Sequence, residues 1–425
     1  MNVLKYGMEG YDVRLLQYAL RRAGEEPGNP DGIFGRRTLK ALQVFQREKG
    51  LSPDGVAGKL SWAALFPYLA GYALHRVRPG ETLPRLAHVF GADVEAIRTA
   101  NPAMDPMAPP MGETAIIPLP IPVVGEGIPS SGLLTGLQIR GLTRRYPCIR
   151  AAEIGRSVMG QRIVALSMGK GLRQVGYSGA HGADQWIAAP LLLRFLEEYA
   201  QAYVRGSRIG GVPARALFEA ATLHMVPLVN PDGVDLVTGA LDPSDSFYAQ
   251  AQALSAHYPS VPFPEGWQSN ISGVDLSLQY PANWEQARRY RYAQGYTRPG
   301  PKNYVGSGAL TAPESRALAN WTREHDFSLT LSCCMPGGVV YASGGPSSKV
   351  KAIGAALCRS GGCVLMSPPN GSALAGYADW FGKAWNRPGF TLAAGPGTKA
   401  PSLDAFETVY AENLPIFVQG LAVSP

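Results

Sequence analysis

Apolar residues recur every three or four positions at Val13, Leu16 and Leu20, and again at Leu39, Leu42 and Phe45. That period places each set on one face of an α-helix. The stretch Asp31-Gly-Ile-Phe-Gly-Arg-Arg-Thr38 follows the first run, and Asp54-Gly-Val-Ala-Gly-Lys-Leu-Ser61 echoes it after the second. Asp-Gly favours a tight turn with positive φ, and Thr38 or Ser61 is suited to cap the helix that follows. The pattern predicts a small three-helix domain over residues 1–69, built on an internal repeat.

Residues 72–120 change character. A strand-like entry from Tyr72 to Val77 meets a turn at Pro79-Gly80, and Thr82 is placed to cap a helix carrying Leu83, Leu86 and Ala87. Val94, Ile97 and Ala100 form a second apolar face, stopped at Asn101-Pro102, and Ala115–Pro118 closes the segment. This predicts a βααβ unit, because proline biases the preceding residue away from the helical region. A proline- and glycine-rich linker is expected over 121–132. From 133 to 425, helical patterns alternate with apolar runs at Ile163–Met168, Leu223–Val229, Phe327–Ser332 and Phe390–Ala394. That alternation predicts an α/β domain with a mixed central sheet, so the chain is multidomain.

Composition narrows the function classes. The 425 residues are 46% hydrophobic and 17% charged, with a net charge of +7. No basic block is interleaved with aromatic residues, which argues against a nucleic-acid partner. No run of ~18 apolar residues exists, so membrane insertion is not expected. Glu9, Asp12 and Arg14 interrupt the first twenty residues, and the expectation is a chain without a signal peptide, made in the cytoplasm. Cys148, Cys333, Cys334, Cys358 and Cys363 follow no zinc-ribbon or knottin spacing, so reduced thiols are expected.

Three families come into view on these segments. "VRLLQYALRRAG", "DGIFGRRTLKALQVFQREKGL" and "PDGVAGKLSWAAL" resemble the peptidoglycan-binding domain of bacterial wall hydrolases. "HRVRPGETLPRLAHVFG", "VEAIRTANP" and "IIP" are similar to a LysM domain. That resemblance implies a shallow groove for N-acetylglucosamine polymers, lined by Gly80, Glu81, Thr82, Leu83, Asn101 and Pro102. In the large region, "EIGRSVMGQRIVALSMG", "YSGAHGADQWIAAPLLLRFLEEY", "HMVPLVNPDGVDLV", "NISGVDLSLQYPANWE", "DFSLTLSCCMPGGVVYA" and "GYADWFGKAWNRPGFTLAAG" occur in order. They resemble zinc carboxypeptidases of the γ-D-glutamyl-diaminopimelate peptidase branch, which trim peptidoglycan stem peptides.

The same resemblance implies a zinc ion held by His-x-x-Glu and a later histidine, plus a glutamate as general base. A catalytic zinc takes three protein ligands and keeps one position for water. Here the ligand positions fall on Gly182, Gln185 and Cys334, and the base position on Ala393. The family's substrate-binding asparagine and arginine are replaced by Ser277 and Leu278. Asn230-Pro-Asp-Gly233 resembles a tight turn after a strand, and Tyr377 is placed as a contact for a bound peptide. The resulting expectation is a wall-directed protein without a cofactor. It binds peptidoglycan glycan strands, with stem peptides as further ligands, through a catalytically silent peptidase fold at the cell or spore wall. The alternative is an active zinc peptidase on stem peptides. A further alternative is a Cys334–His181 nucleophile pair.

Overall fold

Helices α1 (Tyr11–Arg22), α2 (Arg36–Glu48) and α3 (Lys59–Ala70) pack on one another through Val13, Leu16, Leu20, Leu42, Phe45, Trp62 and Leu65. These are the positions that the helical period places on one face. The computed structural model describes residues 1–334, 338–343, 348–367, 374–395 and 403–423. They form two compact units: 1–128 with 133–149, and 129–132 with 150–425.

In the first unit the internal repeat becomes a pair of matched polar clasps. Gln17 Nε2 donates to Asp31 Oδ1 (2.8 Å), the Ile33 carbonyl (3.1 Å) and Thr38 Oγ1 (3.1 Å), while its Oε1 accepts from Gly32 N (2.9 Å). Gln46 Nε2 donates to Asp54 Oδ1 (2.9 Å), the Val56 carbonyl (3.0 Å) and Ser61 Oγ (3.0 Å), and its Oε1 accepts from Gly55 N (3.0 Å). Gly32 and Gly55 have φ of 84° and 71°, the left-handed conformation expected of the Asp-Gly turns. Thr38 and Ser61 are not caps. The helices start at Gly35 and Gly58, and the two hydroxyls lie inside the first turn, where they receive the glutamines.

The βααβ order also appears. Strands β1 (Tyr72–Arg76) and β2 (Thr114–Pro118) pair antiparallel, with α4 (Leu83–Phe90) and α5 (Val94–Ala100) between them in sequence. Thr82 caps α4 through Arg85 N (3.3 Å). Leu83, Leu86, Ile97, Ala115 and Ile117 form a small core of their own. Helix α6 (Gly132–Arg145) follows, and from Leu133 onward it belongs with the first unit, where Leu134 joins the α1–α3 core. The sequence pattern assigns this helix to the region beginning at 133. An amphipathic face shows that a helix packs, but not on which neighbour.

The second unit is built on an eight-stranded sheet. Its strands are β3 (Arg150–Arg156), β4 (Arg162–Gly169), β5 (Arg173–Gly179), β8 (Ala221–Val226), β9 (Phe327–Cys334), β10 (Val339–Ser343), β11 (Val364–Met366) and β12 (Gly389–Ala393). Their order is β11-β10-β12-β9-β5-β8-β4-β3, and β6 (Arg208–Ile209) with β7 (Val212–Pro213) forms a separate ribbon. Strands β8, β5, β9 and β12 run parallel, while β3–β4, β4–β8 and β10–β12 pair antiparallel. Central parallel strands are covered on both faces and read as nearly unbroken apolar runs. Helix Ala188–Arg205 buries Leu192, Phe195 and Tyr199, and Tyr177 of β5 donates to the Phe417 carbonyl (2.7 Å) in helix Phe406–Ala422. A second cluster contains Tyr280, Trp321, Phe327, Tyr377, Trp380 and Phe381. Because the four central strands are parallel, their carboxyl ends meet along one edge of the sheet.

Candidate functional site

The chain leaves β5 at Gly179 and passes through Ala180, which has a left-handed φ of 52°. It then forms a short 3₁₀ turn, Ala183–Gln185, before helix Ala188–Arg205 begins. Asn230 supports this exit. Its backbone N donates to the Ala180 carbonyl (3.0 Å), and its Nδ2 donates to the His181 and Ser269 carbonyls (3.1 Å each). Such strain persists where the surroundings fix it. Asn230-Pro-Asp-Gly233 is therefore a helix start, not a turn. Asn230 Oδ1 accepts from Gly233 N (3.1 Å), and helix Pro231–Thr238 follows, with proline at a position that lacks a helical donor requirement.

Strand register brings the remaining positions to the same edge. Gly179 pairs with Cys333 across β5–β9, and Cys334 pairs with Ala393 across β9–β12. Gly182, Gln185, Cys334 and Ala393 thus gather at the strand ends. Gly182 brings no side chain. Gln185 Oε1 turns back to accept from Gly182 N (3.1 Å), and Ala393 presents a buried methyl group. The Cys334 thiol is pushed up to about 12, first by desolvation and then by the Asp184 carboxylate. A zinc ion prefers thiolate, imidazole and carboxylate donors. This set offers one neutral thiol and an amide already engaged, so the residues present do not fit the metal. Among the described residues, no group of three or more His, Cys, Asp or Glu is arranged to hold a metal ion.

His181 does not supply the missing imidazole. Its Nε2 lies 3.0 Å from Ser178 Oγ, which in turn lies 3.0 Å from Ser332 Oγ. Its ring packs beside Tyr377 and Tyr280, with centroids 5.9 and 6.3 Å apart. Burial holds the imidazole down to about 4. A neutral histidine and a thiol raised first by burial and then by a nearby carboxylate are the opposite of an activated cysteine pair.

Sequence reasoning missed Asp184, although it stands between Gly182 and Gln185, the two positions expected to match the family's first ligand pair. Its Oδ2 accepts from Gln268 Nε2 (3.0 Å), while its Oδ1 is buried without a hydrogen-bond partner. Desolvation raises its carboxyl to about 6, Asp275 adds to the rise, and Gln268 and Lys302 oppose it. Asp275 is itself engaged. Its Oδ1 accepts from Ser277 N (3.0 Å) and Ser277 Oγ (2.6 Å), and its Oδ2 accepts from Asn303 N (2.9 Å). The Ser277 hydroxyl is thereby occupied, and Leu278 is buried with Trp284, Val305 and Ala375. Neither position presents a cation to a carboxylate. Tyr377 is also a packing residue here: it is buried, with its hydroxyl 2.9 Å from Thr322 Oγ1.

A second set of acids holds the loop after β3. Asp232 Oδ1 accepts from Ser157 Oγ (2.7 Å) and Gln161 Nε2 (3.0 Å), and its Oδ2 accepts from Met159 N (2.8 Å). Glu314 accepts from Val158 N (3.1 Å) and Asn270 Nδ2 (3.0 Å), and burial pushes it up to about 7.

In the first unit, a groove of about 870 Å³ is lined by Arg21, Glu25, Glu26, Asn29, Arg37 and Lys40. Both charge signs line it, and burial with Glu48 nearby raises the Glu25 carboxyl against the opposing Lys49. Around α4 and α5, Gly80 and Pro102 are exposed, whereas Glu81 and Thr82 are half-buried. Glu81 Oε2 lies 2.7 Å from His75 Nε2 and accepts from Arg78 N (2.8 Å). Leu83 is buried, and its N donates to the Pro106 carbonyl (2.8 Å), tying the loop before α4 to the loop after α5. Asn101 is buried and fully engaged, with Nδ2 on the Ile97 and Ile116 carbonyls (2.7 Å each) and Oδ1 accepting from Ile116 N (2.8 Å).

The fold and these strand ends define a carboxypeptidase-type α/β domain. The chain belongs to the zinc carboxypeptidase family, whose model matches residues 138–352, and residues 9–65 match a putative peptidoglycan binding domain. Gamma-D-glutamyl-L-diamino acid endopeptidase 1 of Lysinibacillus sphaericus is 34% identical over 287 residues, covering 67% of this chain and 70% of that protein. The spore cortex-lytic enzyme of Bacillus cereus is 45% identical over 56 residues, covering 13% of this chain and 22% of that protein. The fold is shared with bovine thrombin-activatable fibrinolysis inhibitor, solved in complex with tick carboxypeptidase inhibitor. That match has a TM-score of 0.54 at 16% identity and covers 69% of this chain and 96% of that chain. Among the described residues, no helix is long and apolar enough to cross a membrane.

Proposed function

We propose that this protein binds peptidoglycan and that its carboxypeptidase-type domain is catalytically silent. The observation that carries this reading is the donor set at the strand ends: Gly182, Gln185, Cys334 and Ala393 stand where a metal site and a base are required. A bound metal lowers the pKa of water from ~16 to ~7. General acid–base catalysis contributes a further ~100- to ~10,000-fold. Without either, the domain retains a surface but no means of activating water.

Binding rests on residues 1–69 and 72–120. The mixed-charge groove beside α1 and α2 suits polymers that carry both carboxylates and amines. Residues 72–120 act as a LysM-type module, with Gly80, Glu81, Thr82 and Pro102 on its accessible side and Leu83 and Asn101 shaping the groove from beneath. Two weak saccharide modules on one chain gain avidity through effective concentration. Glycan strands are the main ligand and stem peptides a secondary one, at the cell or spore wall.

The test uses purified full-length protein, insoluble peptidoglycan and muropeptides containing the γ-D-glutamyl-diaminopimelate bond. Sedimentation with the polymer, together with no muropeptide cleavage with or without added zinc, is the expected result. Zinc-dependent cleavage would restore the peptidase reading. Failure to sediment would remove the binding reading.

A further inference from the structure

All five cysteines are free thiols, and two of them lie side by side. Cys358 lies in the last turn of helix Ser348–Gly361, and Cys363 directly precedes the edge strand β11. Gly362 takes a φ of 67°, and the chain folds back so that Cys363 N donates to the Cys358 carbonyl (3.2 Å). This hydrogen bond, spanning five residues, is the helix-ending contact a left-handed glycine permits. It brings the two sulfurs to 2.7 Å. A disulfide bond is ~2.05 Å long, so closure needs a shift of only about 0.7 Å. Cys358 is buried against the helix core, whereas Cys363 is partly open to solvent, giving an attacking reagent one accessible sulfur.

We propose that Cys358 and Cys363 form a reversible disulfide that staples the end of helix Ser348–Gly361 to the start of β11. The co-reactant is a low-molecular-weight disulfide. The Cys363 thiolate attacks one of its sulfurs and releases one small thiol. Cys358 then attacks the mixed disulfide at Cys363 Sγ, closing the protein bond and releasing the second thiol. Two protein thiols are oxidised, one small disulfide is reduced to two thiols, and the two protein protons end on those products. Burial and the neighbouring Cys358 raise the Cys363 thiol to about 12, so exchange at neutral pH is slow even though the geometry is prepared.

Arg359 lies between the two cysteines and makes the test direct. The native full-length protein is incubated with oxidised glutathione, alkylated, and digested with trypsin without reduction. The peptide ending at Arg359 is expected to be linked to the one beginning at Ser360, and dithiothreitol should separate them. Alkylatable thiols should fall by two from the five present. Cys363→Ser should abolish the linked species while leaving the far-ultraviolet circular dichroism unchanged. Full alkylation of both cysteines after oxidation would overturn the proposal. So would a persistent glutathione adduct on Cys363, or pairing of Cys358 with a different cysteine.

Discussion

The two glutamine clasps and the strand-end cluster are both polar groups set among buried residues, yet they are opposites in completeness. In the clasps, each glutamine amide makes the same three donations and accepts the same glycine N–H, and the second copy repeats the first within 0.1 Å. At the strand ends, Asp184 Oδ1 is buried without a hydrogen-bond partner, and the thiol beside it is neutral. Buried polar groups left unpaired cost ~1–3 kcal/mol each. The contrast separates polar residues that hold a fold from polar residues at the strand ends that the fold leaves poorly partnered.

The largest expected effect comes from rebuilding the strand-end cluster. Gly182→His, Gln185→Glu, Cys334→His and Ala393→Glu together should convert a protein with no stoichiometric zinc into one that binds it, read by metal analysis after dialysis. A Cβ on Gly182 would first meet the movable side chains of Asp184 and Gln185 at 2.8–3.0 Å, and these can give way to a new side chain. Gly182→His alone should gain nothing measurable. Stoichiometric zinc in the unmodified protein would remove the contrast.

Breaking the clasps comes next. Gln17→Ala and Gln46→Ala should each destabilise the helical unit by about 2–4 kcal/mol, since each leaves a buried glycine N–H and a buried hydroxyl without their amide partner. Hydrogen exchange of the α1–α3 amides in the full chain reads this. Unequal losses would show that the duplicated geometry is not duplicated energetically.

The pH response of the second unit is smaller. Burial raises Glu314 to about 7 and Asp235 to about 6. A carboxyl whose folded pKa is raised binds more protons folded than unfolded, so its contribution is full below ~4.5 and lost as pH rises through the folded value. Thermal stability should therefore fall between about pH 4 and about pH 7, by of order 1–3 kcal/mol from these groups. Glu314→Gln, which mimics the protonated acid, should flatten that fall. A slope unchanged by the substitution would show that Glu314 ionises without cost.

Asp184→Asn should have the least effect, within about 1 kcal/mol and stabilising at higher pH, because it removes a poorly partnered charge. Alkylation of Cys334 should quicken slightly as the carboxylate is lost, although desolvation keeps it slow.

How much of this is legible in the sequence differs by kind of signal. Local periods mark α1, α2 and the βααβ order, because a helix face or a strand is written within a dozen residues. The Asp-Gly echoes are visible for the same reason. Their glutamine partners are not, since Gln17 and Gln46 stand 14 and 8 residues from Asp31 and Asp54, with different spacings. Positions 182, 185, 334 and 393 stand out because the motif resemblance picks them out in order, whereas Asp184 has no motif role to draw attention to it. The insertion of antiparallel β10 between β11 and β12 has no local signature, because pairing partners are chosen by tertiary packing. Asn230 reads as a turn residue because helix starts and turns favour the same amino acids.

The clasp has a further consequence in the arithmetic of chain growth. Helix α2 is both receiver and donor: Thr38 near its beginning takes the amide of α1, and Gln46 near its end reaches forward to α3. A helix with both functions is a link, and the two clasps are successive steps along the chain. The series stops at α3, whose twelve residues contain no glutamine and carry Pro67 near the end. Helix α3 thus receives a clasp without offering the next one, and the run of clasps ends where the amide is withheld.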